Sequence, residues 1–584
     1  MIVEPAEPSP EIGVLLSGFQ SVSDPMLAGM TSAADSHDAL LTTARAWLAE
    51  DPDPLTSAEL RALIDKAAAN DADALDELAD AFVGTLQFGT AGLRGRLGPG
   101  SNRMNRVVVA RAAAGLAEYL RQHGGKSVVI GYDARRNSDV FAHDSARIMA
   151  GAGIKAYVYP RALPTPVLAF AIRPLGADAG IMVTASHNPA DDNGYKVYLG
   201  DGSQIVPPSD AEIAACIAAV GSYAEIPRSD DFTTLGPDML DKYVERAVSL
   251  LPTGPRELIT VYTAMHGVGG SVFMRAAADA GFPEPHRVPA QFYPDARFPT
   301  VPFPNPEEPG AMDLSFEEAR KVAADLVVSN DPDADRSAAA IPYKGDWRKL
   351  TGDEVGALLG WWIGQRAKRD GVKLSGTFAQ SIVSGTLLAK IADDAGVDYT
   401  TTLTGFKWIS RVPGLIFGYE EALGYCVDPA GVRDKDGITA SLLLMELAAH
   451  LKAEGRTIQD VLDDLARQFG LHVTGQLAIR VSDLTIISDA MARLRANPPQ
   501  EIGGREVLKT EDLAEGAGGL PPTDGLRFTM DGARVVVRPS GTEPKLKCYL
   551  QVVVPGTGDI EAARVAGDAE LQALRDSVAE ALGI

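Results

Sequence analysis

Cysteine is scarce in this chain: Cys216, Cys426 and Cys548 are the only three among 584 residues. They are far apart, odd in number and form no CxxC pair. That argues against a disulfide framework or a structural zinc site and for a reducing compartment. The N-terminus, MIVEPAEPSPEIG, lacks a basic segment leading into an apolar run, so no signal peptide is expected. Long hydrophobic runs are missing too. The most apolar stretch, VGALLGWWIG at 355 to 364, is too short to span a bilayer. Positive charge is in deficit, with 54 Lys and Arg against 78 Asp and Glu and a formal net charge of -24. Such a chain repels nucleic acid and anionic membranes over about a Debye length. The expectation is a soluble, cytoplasmic protein with no nucleic-acid or membrane partner, which meets anions through local arginines and lysines.

What is present is an ordinary globular balance, 46% hydrophobic and 23% charged. The length suggests about three to five domains. Residues 1 to 38 are rich in Pro, Ser, Ala and acidic residues without a sustained period, and are expected to form a loose, disordered extension; Met30 could be the natural start. From Ala39 to Phe88 the pattern is helical, punctuated by Asp53-Pro54. Then β-runs (SVVIGYD at 127, KAYVYP at 155, AGIMVTA at 179, the strand opening RELITVYTAMHGVGG at 256, AADLVVSNDPDAD at 323) alternate with helical segments. This predicts α/β architecture, with open sheets, crossover helices and ligands at the loops after strand C-termini. The last 110 or so residues read as antiparallel strands and a closing helix, a smaller α+β domain.

Five loops could carry chemistry. In TASHNPADDNGYKVY, 184 to 198, an apolar strand delivers Ser186 into small and polar residues, and Asn193-Gly194 reads as a turn. The Ser186 hydroxyl should be exposed enough to accept and return a phosphoryl group. Lys196 should open the next strand, within reach of a substrate hydroxyl. An ordinary Ser/Asn-rich turn fits the spacing equally well. His187 could assist proton transfer or simply shape the loop, and His266 more often stabilises a turn. In DPDADR, Asp331, Asp333 and Asp335 recur at every second residue directly after a buried strand, an arrangement of hard oxygen donors suited to Mg²⁺. Arg336 can neutralise a phosphate or hold an aspartate. The alternative is a solvated acidic turn. GYEEALGY, 418 to 425, offers carboxylates to sugar hydroxyls, a weak signal alone. RPSGTEPKLK, 538 to 547, looks like an anion nest behind Arg538. FGTAGLRGRLG, 88 to 98, reads as a flexible glycine-rich stretch carrying Arg94 and Arg96. It lacks the G-x-G-x-x-G spacing, and G-x-x-x-x-G-K-[ST] is absent from the chain, so neither NAD nor ATP is indicated.

Taken together, TASHNP, DPDADR, EEALG and RPSGTEP resemble, in order, the phosphoserine, metal, sugar and phosphate loops of the α-D-phosphohexomutase family, which includes phosphoglucomutases and phosphomannomutases. FGTAGLRG, TGFKW and GYEEALGY are most similar to its long branch, which also contains phosphopentomutases. The resemblance implies three related α/β domains with mixed sheets and a smaller C-terminal α+β domain around a central cleft. The expected boundaries are 39 to 235 (phosphoserine), 236 to 343 (metal), 344 to 468 (sugar) and 469 to 584 (phosphate). It implies that Ser186 carries the phosphoryl group, and that Asp331, Asp333 and Asp335 hold Mg²⁺ together with it. Lys196 would be a general acid/base, with Arg94 and Arg336 near the transferred phosphate and His187 a further catalytic candidate. Glu420 would bind the sugar hydroxyls, Lys407 the substrate, and Arg538, Ser540, Gly541 and Thr542 the distal phosphate. A sugar bisphosphate would be intermediate and activator, small sugar phosphates the partners, and the enzyme a monomer or small homo-oligomer. Where the family usually has Ser in the sugar loop this chain has Ala422, which leaves the sugar open: glucose, mannose, or, as a phosphopentomutase, ribose phosphates. An acidic-loop phosphatase with Asp331 as nucleophile would leave the serine and Arg538 loops without a role. A non-catalytic sugar-phosphate sensor would be favoured by loss of the serine or an aspartate, and all are present.

Overall fold

The computed structural model describes residues 33–89, 91–481, 484–539 and 545–583. The extension expected over 1 to 38 thus lies outside the described residues up to 32. Residues 33–38 are not loose: they open helix Ala33–Glu50. Helices Pro54–Ala68 and Ala72–Phe82 follow, capped by Asp53 and Asp71, whose carboxylates accept from the N–H of Leu55 and Ala74. Leu41, Trp47, Leu60, Ile64 and Leu78 pack the three helices into a small core that also takes in Val107 of the next unit.

Three α/β sheets follow. In the first, the strand order is Leu93–Arg96, Asp192–Leu199, Ala179–Val183, Ser127–Tyr132, Lys155–Val158, Thr233–Thr234. Its centre is parallel, crossed by helices Ser138–Gly151 and Thr165–Leu175, while Asp192–Leu199 runs antiparallel to both of its neighbours. The second sheet has the order Asp346–Lys349, Ser337–Tyr343, Leu326–Asn330, Thr260–Thr263, His286–Arg287, so it extends past the boundary expected at 343. The third has the order Asp398–Thr402, Thr377–Ser381, Leu415–Glu420, Gly424–Cys426. Each combines parallel strands with an antiparallel edge. Ala179–Val183 and Leu326–Asn330 are buried along their whole length, as strands covered on both faces must be.

The C-terminal sheet is antiparallel throughout, in the order Leu471–Arg480, Lys545–Val554, Ala533–Pro539, Leu526–Met530, Arg505–Asp512, Glu501–Ile502. Helices Leu484–Ala496 and Ile560–Leu582 cover it, with Leu574 of the second in one core with Phe528, Val535 and Leu550 of the sheet. The second and third sheets share one continuous core with helix Thr165–Leu175 of the first. The C-terminal unit has its own core and meets the third through small patches, such as Ile382 and Val383 against Leu513, Val536 and Tyr549. Among the described residues no helix is long and apolar enough to cross a membrane.

Candidate active site

The chemistry-bearing loops leave the C-terminal ends of strands, where open α/β sheets gather ligands. After Ala179–Val183 the chain reverses over residues 186 to 191. Ser186 itself is left-handed, with φ 52°, a conformation rare for a residue with a Cβ. Its Oγ donates to Asp331 Oδ2 at 2.7 Å and lies 3.3 Å from His187 Nδ1. It is not the exposed hydroxyl the loop suggests: only 3% of the residue is accessible, because the aspartate loop of the second sheet lies against it. Asn193 and Gly194 do not turn either. They lie inside strand Asp192–Leu199, where Asn193 bonds Arg136 O and Ser138 Oγ, and a Cβ on Gly194 would stand 2.5 Å from Thr184 O. Lys196 accordingly sits within that strand rather than at its start, opposite Met182.

Within the glycine-rich stretch, Leu93–Arg96 is an ordered edge strand against residues 192 to 195. Gly92, at φ 76°, makes the approach possible, since a Cβ there would stand 1.9 Å from Tyr195 O. Arg94 reaches Asn188 Oδ1 at 3.2 Å and so sits over the serine loop.

Asp331, Asp333 and Asp335 follow strand Leu326–Asn330 and are buried, with one ligand oxygen from each lying within 4.8 Å of the others. Lys196 Nζ donates to Asp333 Oδ2 at 2.8 Å and to Asp335 Oδ2 at 2.9 Å. Thr165 Oγ1 donates to Asp333 Oδ2 at 2.7 Å. Arg336 bonds Asp331 Oδ1 through its main-chain N–H at 3.1 Å, with Nε 3.9 Å from Asp331 Oδ2 and 3.8 Å from Asp335 Oδ1. Burial, with Asp333 and Asp335 beside it, pushes the Asp331 carboxyl well above the usual carboxylate range. Burial opposes ionisation of Asp333 and Asp335 too, but the cations and hydrogen bonds around them outweigh it and hold both low. Burial, Arg336 and Arg94 hold the His187 imidazole well below its usual pKa, hence neutral.

Two oxygens, Asp333 Oδ1 and Asp335 Oδ1, are buried with no hydrogen-bond partner. A buried acceptor left alone is costly. A hard divalent cation between these carboxylates would satisfy both, so the donor set fits a metal ion.

The metal loop touches the sugar loop, where Arg336 Nη1 donates to Ala422 O at 2.9 Å. Glu420 ends strand Leu415–Glu420 and accepts from Gly405 N at 2.6 Å. Lys407, two residues on, feels burial first, then Asp210 and Glu420, then Arg538, which places it among the charges of the sugar and phosphate loops. Arg538 donates to Thr404 Oγ1 across the junction with the C-terminal unit. Ser540, Gly541 and Thr542 lie outside the described residues. His266 is tied to Thr300 Oγ1 at 2.8 Å and shapes a turn.

Reading the sequence missed Lys435 and Arg135. Lys435 Nζ lies 3.2 Å from Asp335 Oδ2 and 3.4 Å from Asp434 Oδ1. Burial disfavours its charge, yet Asp335 and Asp434 outweigh that and hold it protonated. The run Arg433-Asp434-Lys435-Asp436 resembles a solvated charge cluster. Its signal is position: it opens the almost wholly buried helix Gly437–Ala453, where a charge cluster must find partners.

Comparison with known proteins places this geometry among relatives. Models of phosphoglucomutase/phosphomannomutase α/β/α domains I, II and III match residues 85–224, 241–344 and 351–469, and the model of the C-terminal domain matches 477–580. A protein named probable phosphomannomutase from Haemophilus influenzae is 50% identical over 455 residues, covering 76% of this chain and 92% of that one. The phosphopentomutase of Mus musculus is 34% identical over 570 residues, covering 88% and 90%. A crystal structure of a phosphoglucomutase/phosphomannomutase family protein from Burkholderia thailandensis superposes with a TM-score of 0.65 at 21% identity, over 85% of this chain and 97% of that one, a likeness of fold.

Proposed function

The chain belongs to the phosphoglucomutase/phosphomannomutase family and is a phosphohexomutase-type isomerase, and we propose that it interconverts the 1- and 6-phosphates of glucose, mannose or both through a phosphorylated Ser186 and a sugar bisphosphate. The observation that carries this reading is the 2.7 Å contact between Ser186 Oγ and Asp331 Oδ2. It sets a hydroxyl from one domain against a carboxylate triad from another, with two of the triad's oxygens unpartnered.

In this reading the phosphoserine P–O bond breaks, a new P–O bond forms to a free hydroxyl of the sugar monophosphate, and that hydroxyl's proton leaves with a base. We assign the base to His187, whose Nδ1 lies 3.3 Å from Ser186 Oγ, and to Lys196, a cation paired with Asp333 and Asp335, the part of a proton donor. The bisphosphate turns over, and its other phosphoryl group returns to Ser186. Asp331, Asp333 and Asp335 would hold Mg²⁺, which when bound supplies charge stabilisation to the transferring group. Arg94 and Arg336 face the reacting phosphate, Glu420 and Lys407 the sugar. Arg538, with the segment 540 to 542, anchors the distal phosphate. The three cysteines are free thiols, which supports a reducing, cytoplasmic setting.

Intact-mass analysis of protein purified with phosphatase inhibitors tests this: a species about 80 Da heavier that maps to Ser186 and disappears in Ser186→Ala along with turnover. Full activity of Ser186→Ala would overturn the mechanism. Ala422, whose methyl cannot supply a hydroxyl contact, keeps pentose phosphates as a second reading, and the phosphopentomutase relative supports it. A coupled assay over glucose, mannose and ribose 1-phosphates, with a bisphosphate activator, separates the two.

A further inference from the structure

The backbone that presents Ser186 is gripped by one side chain. Arg135 follows strand Ser127–Tyr132 and is 3% accessible. Its Nη2 donates to the carbonyl oxygens of Ser186 at 2.7 Å and Asn188 at 2.6 Å, and its Nη1 to those of Pro189 at 2.7 Å and Asp192 at 3.2 Å. Its Nε faces Asp133 Oδ2 at 3.3 Å. Asp133 is fixed in turn by Thr184 Oγ1 and Ser138 Oγ, both at 2.7 Å, and by Arg135 N at 3.0 Å. The Phe298 ring stacks on the guanidinium, 4.9 Å from its centroid.

An arginine beside a phosphorylated serine is ordinarily taken for a phosphate ligand. Here both terminal nitrogens are committed to main-chain carbonyls, two apiece, and neither points out of the loop unpaired. Left-handed backbone at a residue with a Cβ is strained and persists only where the surroundings over-determine it. The carbonyl of that residue is one of the four that Arg135 holds.

We propose that Arg135, braced by Asp133, is a positioning residue for phosphoryl transfer: it fixes the carbonyls of loop 186 to 192 so that Ser186 Oγ is aimed at the aspartate triad, without touching the phosphate. The proposal rests on the phosphoserine reading above. A lysine at 135 offers one nitrogen where the guanidinium offers a planar fork, so the loop would keep its charge but lose its geometry. A misplacement of about 1 Å at a reacting atom can cost about a hundredfold in rate.

The test is Arg135→Lys in the full chain, with kcat, KM and Ser186 phosphate content measured together. The expected result is a kcat lower by about a hundredfold with KM for the sugar phosphate within about threefold of wild type. Asp133→Asn, which leaves the arginine in place but loosens its brace, should show the same split at roughly tenfold. It decides the matter if Arg135→Lys does not fold. A rise in KM matching the fall in kcat would make Arg135 a phosphate ligand and overturn the proposal. Wild-type kcat in both folded variants would overturn it as well. If the wild-type protein never carries phosphate on Ser186, the phosphoserine reading has failed. If it does, an unperturbed Arg135→Lys counts against this inference alone.

Discussion

Replacing Asp333 by Asn separates the electrostatics of the fold from those of the reaction. Asp333 Oδ2 is engaged by Thr165 Oγ1 and Lys196 Nζ, while Oδ1 is buried without a partner. An asparagine oxygen can keep the first two bonds, and its amide would then occupy the place of the unpartnered oxygen. At an effective dielectric of about 20, the attraction lost to Lys196 at 2.8 Å is about 6 kcal/mol. The repulsion relieved is chiefly that with Asp335, within 4.8 Å, about 3.5 kcal/mol, because the Asp331 carboxyl is pushed well above the usual carboxylate range. The loss exceeds the relief by about 2.5 kcal/mol, and Lys196 keeps Asp335 at 2.9 Å. In chelator, the variant should therefore melt a few degrees below wild type. Its amide, a donor, cannot ligate a cation, and losing a metal ligand worth about 3 to 4 kcal/mol lowers kcat/KM by about a hundred- to a thousandfold. Added Mg²⁺ should raise the Tm of wild type by mass action and leave the variant unmoved. Calorimetric melts with and without Mg²⁺, and a coupled mutase assay titrated with Mg²⁺, read all three quantities. Unchanged metal dependence and rate would refute the assignment of the triad. A collapse of Tm in chelator would refute the charge balance.

The remaining predictions concern the sugar and phosphate loops. Arg538→Ala should raise KM with little change in kcat, because the distal phosphate is bound in ground and transition states alike; a fall in kcat at constant KM would contradict an anchoring role. Glu421 is held by Ser381 and Ser384 hydroxyls at 3.0 and 2.9 Å, and burial, reinforced by Glu420, pushes its carboxyl from 4.5 up to about 7. The folded state therefore binds the proton more tightly, so stability falls as pH rises between those values and the penalty is complete above the upper one. Glu421→Gln should gain up to about 3 kcal/mol at pH 8 and nothing near pH 4.5; equal shifts in urea midpoint at both pH values would contradict this.

Strand and helix identities were legible where apolar runs end in small or polar residues, as in AGIMVTASHNP and DLVVSNDPDAD, because a buried strand and the loop it delivers are both local signals. Misreadings arose where a distant partner decides. Asn193-Gly194 has turn chemistry, but strand Leu93–Arg96 on one side and Thr184 N on the other, together with Ser138 and Arg136, claim it for the sheet. The stretch from 88 looked flexible because glycine signals freedom; at Gly92 it signals contact with Tyr195 instead. The burial of Ser186 depends on a loop 145 residues away. Arg135 and Lys435 escaped notice for the same reason: the carbonyls that commit the first, and the aspartate that commits the second, lie far along the chain.

Those long-range partners also explain why the site needs four separate segments. Three carboxylates, Asp331, Asp333 and Asp335, face three cations within 4 Å: Lys196, Lys435 and Arg336. The Asp331 carboxyl, which burial and its two neighbours push well above the usual carboxylate range, would ionise fully only beside a cation. A phosphoserine would add a charge of about -1.5 to -2, and a divalent metal alone would add the opposite. Either one by itself leaves an uncompensated charge in a water-poor place, which is expensive; together they compensate each other. In the proposed mechanism metal and phosphoryl group would thus be held together, with the lysines from two other domains offsetting the charge of the aspartates. Arg94, bonded to Asn188, would then supply further positive charge for an incoming sugar phosphate.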